Sequence, residues 1–285
     1  MTAPVLVGFA GGEPSLDALA LGGALARATG ARILALHVEE ADAPYSPYDA
    51  RHLRTVRERA RELRDQLERA APELAPDVEF SFETLPATTA AAGLHEFVSS
   101  ERVGLVVTGP THLNPVGAAL LGATGERLLD ASPCPVAVAP RGLRNQGPLT
   151  LRRIGCGLDG SAESLAGVVS ASELARAANA ELEVITVVPA GRPWRRSRAG
   201  EATAWMEEAL ADAGVPDAQK AVRSGRPAGE LARAAADLDL LVVGSCRRAP
   251  LERVLAGSVS EALVRAAEVP VLVVPRGAKP APMPV

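Results

Sequence analysis

Short runs of β-branched and aliphatic residues alternate along the chain with longer stretches in which apolar positions recur every three or four residues. This is the pattern of strands and amphipathic helices in βαβ order, which builds a parallel sheet. The first half predicts a strand at Val5 to Phe9, a helix near Ser15 to Thr29, a strand at Ile33 to Val38, a helix near Ala50 to Ala71 and a strand at Val78 to Phe82. A helix near Thr88 to Ser99, a strand at Leu105 to Thr108, a helix near Thr124 to Ala131 and a strand at Val136 to Ala139 complete it. Leu53, Val56, Ala60, Leu63 and Leu67 line one face of the second helix.

The second half repeats this order. Val136-Ala-Val-Ala-Pro140-Arg141-Gly142 recurs as Val271-Leu-Val-Val-Pro275-Arg276-Gly277, an offset of 135 at which Gly109 also meets Gly244 and Gly122 meets Gly257. Nearer the start of each copy the offset is 149, pairing Val5 to Phe9 with Ile154 to Leu158, so the second copy has lost 14 residues in its middle. The first helix ends at Gly30 and its equivalent at Asn179, the two residue types most tolerant of the left-handed position that closes a helix. The expected architecture is two doubly wound, five-stranded parallel-sheet α/β domains, residues 1–142 and 149–277. A Gly/Asn/Pro-rich linker at about Arg141 to Leu151 joins them, and 278–285 form a proline-bearing tail expected to be disordered.

Composition narrows the function. Of 285 residues, 30 are Lys or Arg and 34 Asp or Glu, a net charge of -4 that argues against a polyanion or anionic-membrane binder. Two Trp, two Tyr and four Phe leave few rings for stacking single-stranded bases. Cys134, Cys156 and Cys246 lack zinc spacing and are odd in number, which points to a reducing, cytosolic setting. No basic leader and no run of 18 apolar residues predicts export or a membrane span. Lys220 and Lys279 are the only lysines, and neither sits where a Walker A loop or a receiver domain needs one. His37, His52, His95 and His112 show no ligand spacing, and no catalytic triad can be assembled from the sequence. Cys246 would be redox-sensitive if the neighbouring arginines lowered its pKa.

In an open parallel sheet, ligands bind beyond the carboxyl ends of strands where strand order reverses, so the residues after the first and fourth strands matter most. After the fourth strand of the second copy the chain reads Gly244-Ser-Cys-Arg247, then Arg248, Arg253 and Gly257-Ser258-Val259. A strand-end glycine admits close backbone approach, and Gly-Ser opening a helix presents free N–H groups and a hydroxyl. These residues resemble the nucleotide-binding motif of the universal stress protein family: Gly, two residues, Gly, nine residues, Gly, then Ser or Thr. Gly244, Gly257 and Ser258 match it, and Arg247 replaces the second glycine.

The resemblance covers both copies, from about Val5 to Arg276, and implies an adenine nucleotide α-hydrolase-like fold. It places ATP, alone or with Mg2+, in the second domain, with Asp159 beside the adenosine, the Val187 backbone at the adenine edge and phosphates at Gly257, Ser258 and Val259. It also implies pairing of the two copies through their last strands, which would otherwise be exposed edges, and leaves a homodimer open. In the first copy Gly109 and Gly122 survive, but His112, Ala123 and Ala10 stand at the second glycine, hydroxyl and Asp positions. Each lost charge-assisted hydrogen bond costs about 1.5–3 kcal/mol, so that copy is expected to be weak or empty.

Plainer readings stand beside these. Ser258 with Glu261 makes a capping box, Asp159 suits a helix N-cap, and Gly244 and Gly257 suit turns. Arg247 either pairs with phosphate or fills the space a glycine would leave. Gly155-Cys-Gly157-Leu-Asp-Gly160 matches the dinucleotide fingerprint, but Gly155 aligns with Leu6 inside a strand. The expected function is a cytosolic, non-enzymatic ATP-binding stress-response regulator, slow ATP hydrolysis staying open. The alternatives are a nucleotide-independent tandem scaffold for protein–protein interaction and, more weakly, an adenylyl-transferring enzyme.

Overall fold

The computed structural model describes residues 3–40, 50–100, 103–110, 125, 127–129, 132–188, 195–245 and 259–275. The first copy comprises β1 (Val5–Gly8), α1 (Gly12–Thr29), β2 (Ile33–Glu40), α2 (Ala50–Leu74), β3 (Phe80–Ala87), α3 (Ala90–Ser100), β4 (Leu105–Thr108) and β5 (Val136–Val138). Between β4 and β5, Gly125 and residues 127–129 are helical. A 3-10 turn at Leu143–Gln146 lies in the linker. The second copy comprises β6 (Arg153–Gly157), α4 (Ala162–Ala178), β7 (Glu181–Val188), α5 (Arg195–Asp212), β8 (Gln219–Ser224), α6 (Pro227–Ala235), β9 (Leu240–Gly244), α7 (Val259–Ala266) and β10 (Val271–Val274).

The third strand departs from the expectation. It begins at Phe80 rather than Val78 and runs on to Ala87, in register with β2 from Ile33 to Glu40. Asp77 turns the chain at a φ of 60° just before it. Pro86 is tolerated because β3 is a sheet edge, where a missing N–H costs no ladder bond. In α2, Leu63 and Leu67 are buried, as the periodicity requires, while the intervening Arg64 and Asp65 face solvent. Gly30 and Asn179 close α1 and α4 at left-handed φ values of 63° and 52°. The bonds from Ala31 N–H to Ala26 and from Ala180 N–H to Ala175 are also equivalent.

The ten strands form one sheet in the order β3-β2-β1-β4-β5-β10-β9-β6-β7-β8. Every pairing is parallel except the central one, where β5 and β10 run antiparallel. Ala137 pairs there with Leu272, its own repeat equivalent, so a pseudo-twofold axis passes through that pair. The expected strand-five edges are thereby closed within one chain. Alternate residues of each strand feed opposite layers: Val5, Val7 and Phe9 join the core under α1, α2, α4 and α5, whereas Leu6 joins the core under α3, α6 and α7. Both layers draw on both copies. The pairing also locates the missing residues. Leu34 pairs with Ser81, and its equivalent Glu183 with Gln219, so the offset has fallen from 149 to 138 by the third strand and most of the shortening lies in the α5 segment.

Candidate functional site

In the second copy β6 lies between β7 and β9, so the reversal of strand order falls at the carboxyl ends of β6 and β9. Leu158 N–H makes a last ladder bond to Ile185 O at 2.9 Å, after which the chain turns through Asp159 and Gly160 into α4. Ser161 donates to Asp159 Oδ1 twice, from N at 2.9 Å and from Oγ at 2.6 Å. Asp159 N donates in turn to Ser164 Oγ at 3.3 Å. Partial burial pushes the Asp159 pKa up, but the hydrogen bonds from Ser161 and Ser164 outweigh it and hold the carboxyl below its usual value. Both Ser161 donors converge on Oδ1, and a carboxylate has lone pairs enough on its two oxygens to accept further bonds. The N-cap of α4 is Ser161, which accepts from Ser164 N. Asp159 is therefore not the helix cap that its sequence position also allowed.

Val187 lies beyond Gly157 and Ile185, the last β6–β7 pair. Ile185 C=O bonds toward β6, and Val188 C=O accepts from Gly225 on the other side. Val187, in phase with Ile185, therefore directs its main-chain groups past the end of β6. Gly244 ends β9, and a Cβ there would come within 2.6 Å of Ser164 N and against the Glu163 carbonyl. Gly109 meets the Pro14 carbonyl, the repeat-equivalent contact, in the first copy. Close helix-to-strand packing thus requires both glycines independently of any ligand. Gly155 sits inside β6 and faces Leu238, which removes the dinucleotide reading. Val259 opens α7 and is 42% exposed. Arg247, Gly257, Ser258 and Cys246 lie outside the described residues.

The first copy fills the equivalent turn with its own side chains. Gly11 and Gly160 are repeat partners with φ values of 86° and 87°. Arg59 Nη2 donates to Ala10 O at 3.0 Å and Gly12 N donates to Gln66 Oε1 at 3.4 Å, so α2 is tied down across the turn. Ala10 has no polar side-chain group to offer at the Asp159 position. In the second copy a single aromatic residue, Trp205 of α5, lies against Gly160 and remains 37% exposed.

Sequence reasoning missed Trp205, whose place immediately before the buried Met206 in α5 was the available signal. It also missed Asp17, which is 1% exposed in α1 and accepts from Gly142 N and Arg144 N at 3.0 Å and from Arg144 Nη1 at 3.1 Å. Its repeat partner is Ala166, so no pattern advertised it. His37 bonds to Phe9 O and Glu39 rather than to another candidate ligand. Among the described residues no group of three His, Cys, Asp or Glu could hold a metal ion. No helix among them is long and apolar enough to cross a membrane.

The universal stress protein family model matches residues 1–140 and again 150–275. Universal stress proteins of Mycobacterium bovis and Mycobacterium tuberculosis are each 31% identical over 232 residues, covering 76% of this chain and 78% of theirs. The crystal structure of a universal stress protein from Archaeoglobus fulgidus superposes with a TM-score of 0.73 at 22% identity, covering 96% of this chain and 98% of that one. Two consecutive family matches, one on each half of a pseudo-symmetric sheet, establish that the chain belongs to the universal stress protein family as a tandem member.

Proposed function

We propose that the chain is a cytosolic adenine-nucleotide-binding regulator whose second copy holds ATP and whose first copy is a degenerate structural partner. The observation that carries this reading is Asp159: an ionised carboxylate at the reversal of strand order, one oxygen fixed by Ser161 and the other able to accept from a ribose hydroxyl. Val187 would offer its main-chain groups to the adenine edge. Gly257, Ser258 and Val259 would present N–H groups to the phosphates, where the helix dipole adds about 0.3–1 kcal/mol. Gly244 would let the β9 end approach the nucleotide, and Arg247 would pair bidentately with the polyphosphate. An accompanying Mg2+ would bind chiefly through the phosphate oxygens and water.

The test is calorimetric titration of ATP, ADP and AMP into the full chain. Binding of ATP that is lost in Asp159→Ala/Ser258→Ala supports the assignment. Absence of heat with all three nucleotides refutes it and leaves the tandem fold as a scaffold for protein partners.

A further inference from the structure

Trp205 and Val259 are the only large apolar side chains among the described residues to stand out as exposed, and Trp205 lies at the Gly160 turn of the second copy's crevice. The Trp205 indole is anchored there by contact with the turn. A β-carbon on Gly160 would sit 3.0 Å from Cζ2 and 3.6 Å from Cη2, and the φ of 87° already excludes most side chains. Gly160 thus lets the six-membered ring rest on main chain one residue from Asp159. The indole touches the turn through its six-membered ring and is 37% exposed, so part of its aromatic surface stays open to solvent beside Asp159.

The first copy supports this by contrast. At the same turn, with the same backbone conformation, it has Leu63 and two polar side chains, Arg59 and Gln66, hydrogen-bonded to the main chain. That copy offers no aromatic side chain at the turn, which Leu63, Arg59 and Gln66 cover instead. The aromatic replacement therefore occurs in the copy that retains the carboxylate.

We propose that Trp205 is a direct binding contact for the base: the indole stacks against the nucleobase of the nucleotide whose ribose Asp159 holds. The inference rests on the nucleotide reading above and adds the source of base affinity. Because every base has a π-face, stacking strengthens binding of nucleotides over base-free phosphates more than it selects one base.

The experiment uses the full chain and two probes, ATP and inorganic tripolyphosphate, with Trp205→Ala and Trp205→Phe. Loss of a stacking partner is expected to weaken ATP on the order of tenfold, with Trp205→Phe recovering most of it and tripolyphosphate affinity unchanged in both variants. The chain's other tryptophan is Trp194, and in a Trp194→Phe background ATP is expected to quench the remaining indole emission and tripolyphosphate to leave it constant. Wild-type affinity for ATP in Trp205→Ala overturns the inference and leaves the nucleotide reading intact. So does an equal loss for both probes, which would make Trp205 a support of the turn alone. Failure of the wild-type chain to bind ATP removes the nucleotide reading and the inference with it.

Discussion

Replacing Asp17 by alanine tests how the linker is held. The carboxylate is 1% exposed and serves two main-chain donors of the linker and the Arg144 guanidinium, all between 3.0 and 3.1 Å. Alanine would strand the N–H groups of Gly142 and Arg144 and remove the partner of a guanidinium whose side chain is 16% exposed. Breaking a buried pair from one side costs about 3–5 kcal/mol. Arg144 retains Glu13 at 2.7 Å, which places the expected loss at the lower end, about 3 kcal/mol. Asp17→Asn, which keeps one acceptor oxygen, should lose about half as much. Urea unfolding followed by circular dichroism reads the effect in the first transition, since a chain of this size need not unfold in one step. The double variant Asp17→Ala/Arg144→Ala should fall short of the sum of the two single losses by about 1–3 kcal/mol. A loss below about 1 kcal/mol for Asp17→Ala, or strict additivity, would refute the clasp.

Ser161→Ala removes the N-cap oxygen of α4 and the hydroxyl donor to Asp159 while keeping the main-chain donor, and a loss of about 0.5–2 kcal/mol is expected in the same urea assay. Gly244→Ala sets a methyl against the main chain of Glu163 and Ser164, where no side chain can yield; about 1–3 kcal/mol of destabilisation is expected from thermal melts. The Asp159 carboxyl, held low by its serine donors, contributes stability that is present above the unfolded value of about 3.9 and disappears as pH falls through the folded value. Melting temperatures of wild type and Asp159→Asn should therefore differ near neutrality and converge in acid. Burial pushes the Cys134 thiol up to about 11 and the fully buried Cys156 higher still, so mass-spectrometric mapping should find neither alkylated by iodoacetamide at pH 8 until the chain is unfolded.

Much of the fold was legible because it is written twice. The offset aligned strands whose periodicity alone was short and ambiguous, and paired Gly30 with Asn179, whose shared left-handed geometry is a property of the residue types. Strand β3 was misplaced because its run is interrupted by Glu83 and Pro86, and an edge strand is set by its neighbour's length rather than by its own hydrophobicity. At the candidate site, the position of Asp159 could be read but not its partners, since Ser161 competes for the same capping role and only geometry decides. Gly244 was legible as a required glycine for a reason different from the one the motif supplies. The Asp17 clasp and the Trp205 contact join residues more than 40 positions apart and exist in one copy only, so neither periodicity nor repetition could reveal them.

The antiparallel Ala137–Leu272 pairing at the centre of the sheet makes association of the two halves a unimolecular event. A partner tethered by a short linker is present at an effective concentration of roughly millimolar, whatever the amount of protein in the cell. Assembly of the ten-stranded sheet is then insensitive to dilution, and each half always meets the other rather than a second copy of itself. The two halves are thereby free to diverge in sequence while keeping their strands, because no symmetric pair of identical halves ever has to form. The parallel blocks on either side of the central pair also run in opposite directions, so the crevices of the two copies open at opposite rims of the sheet.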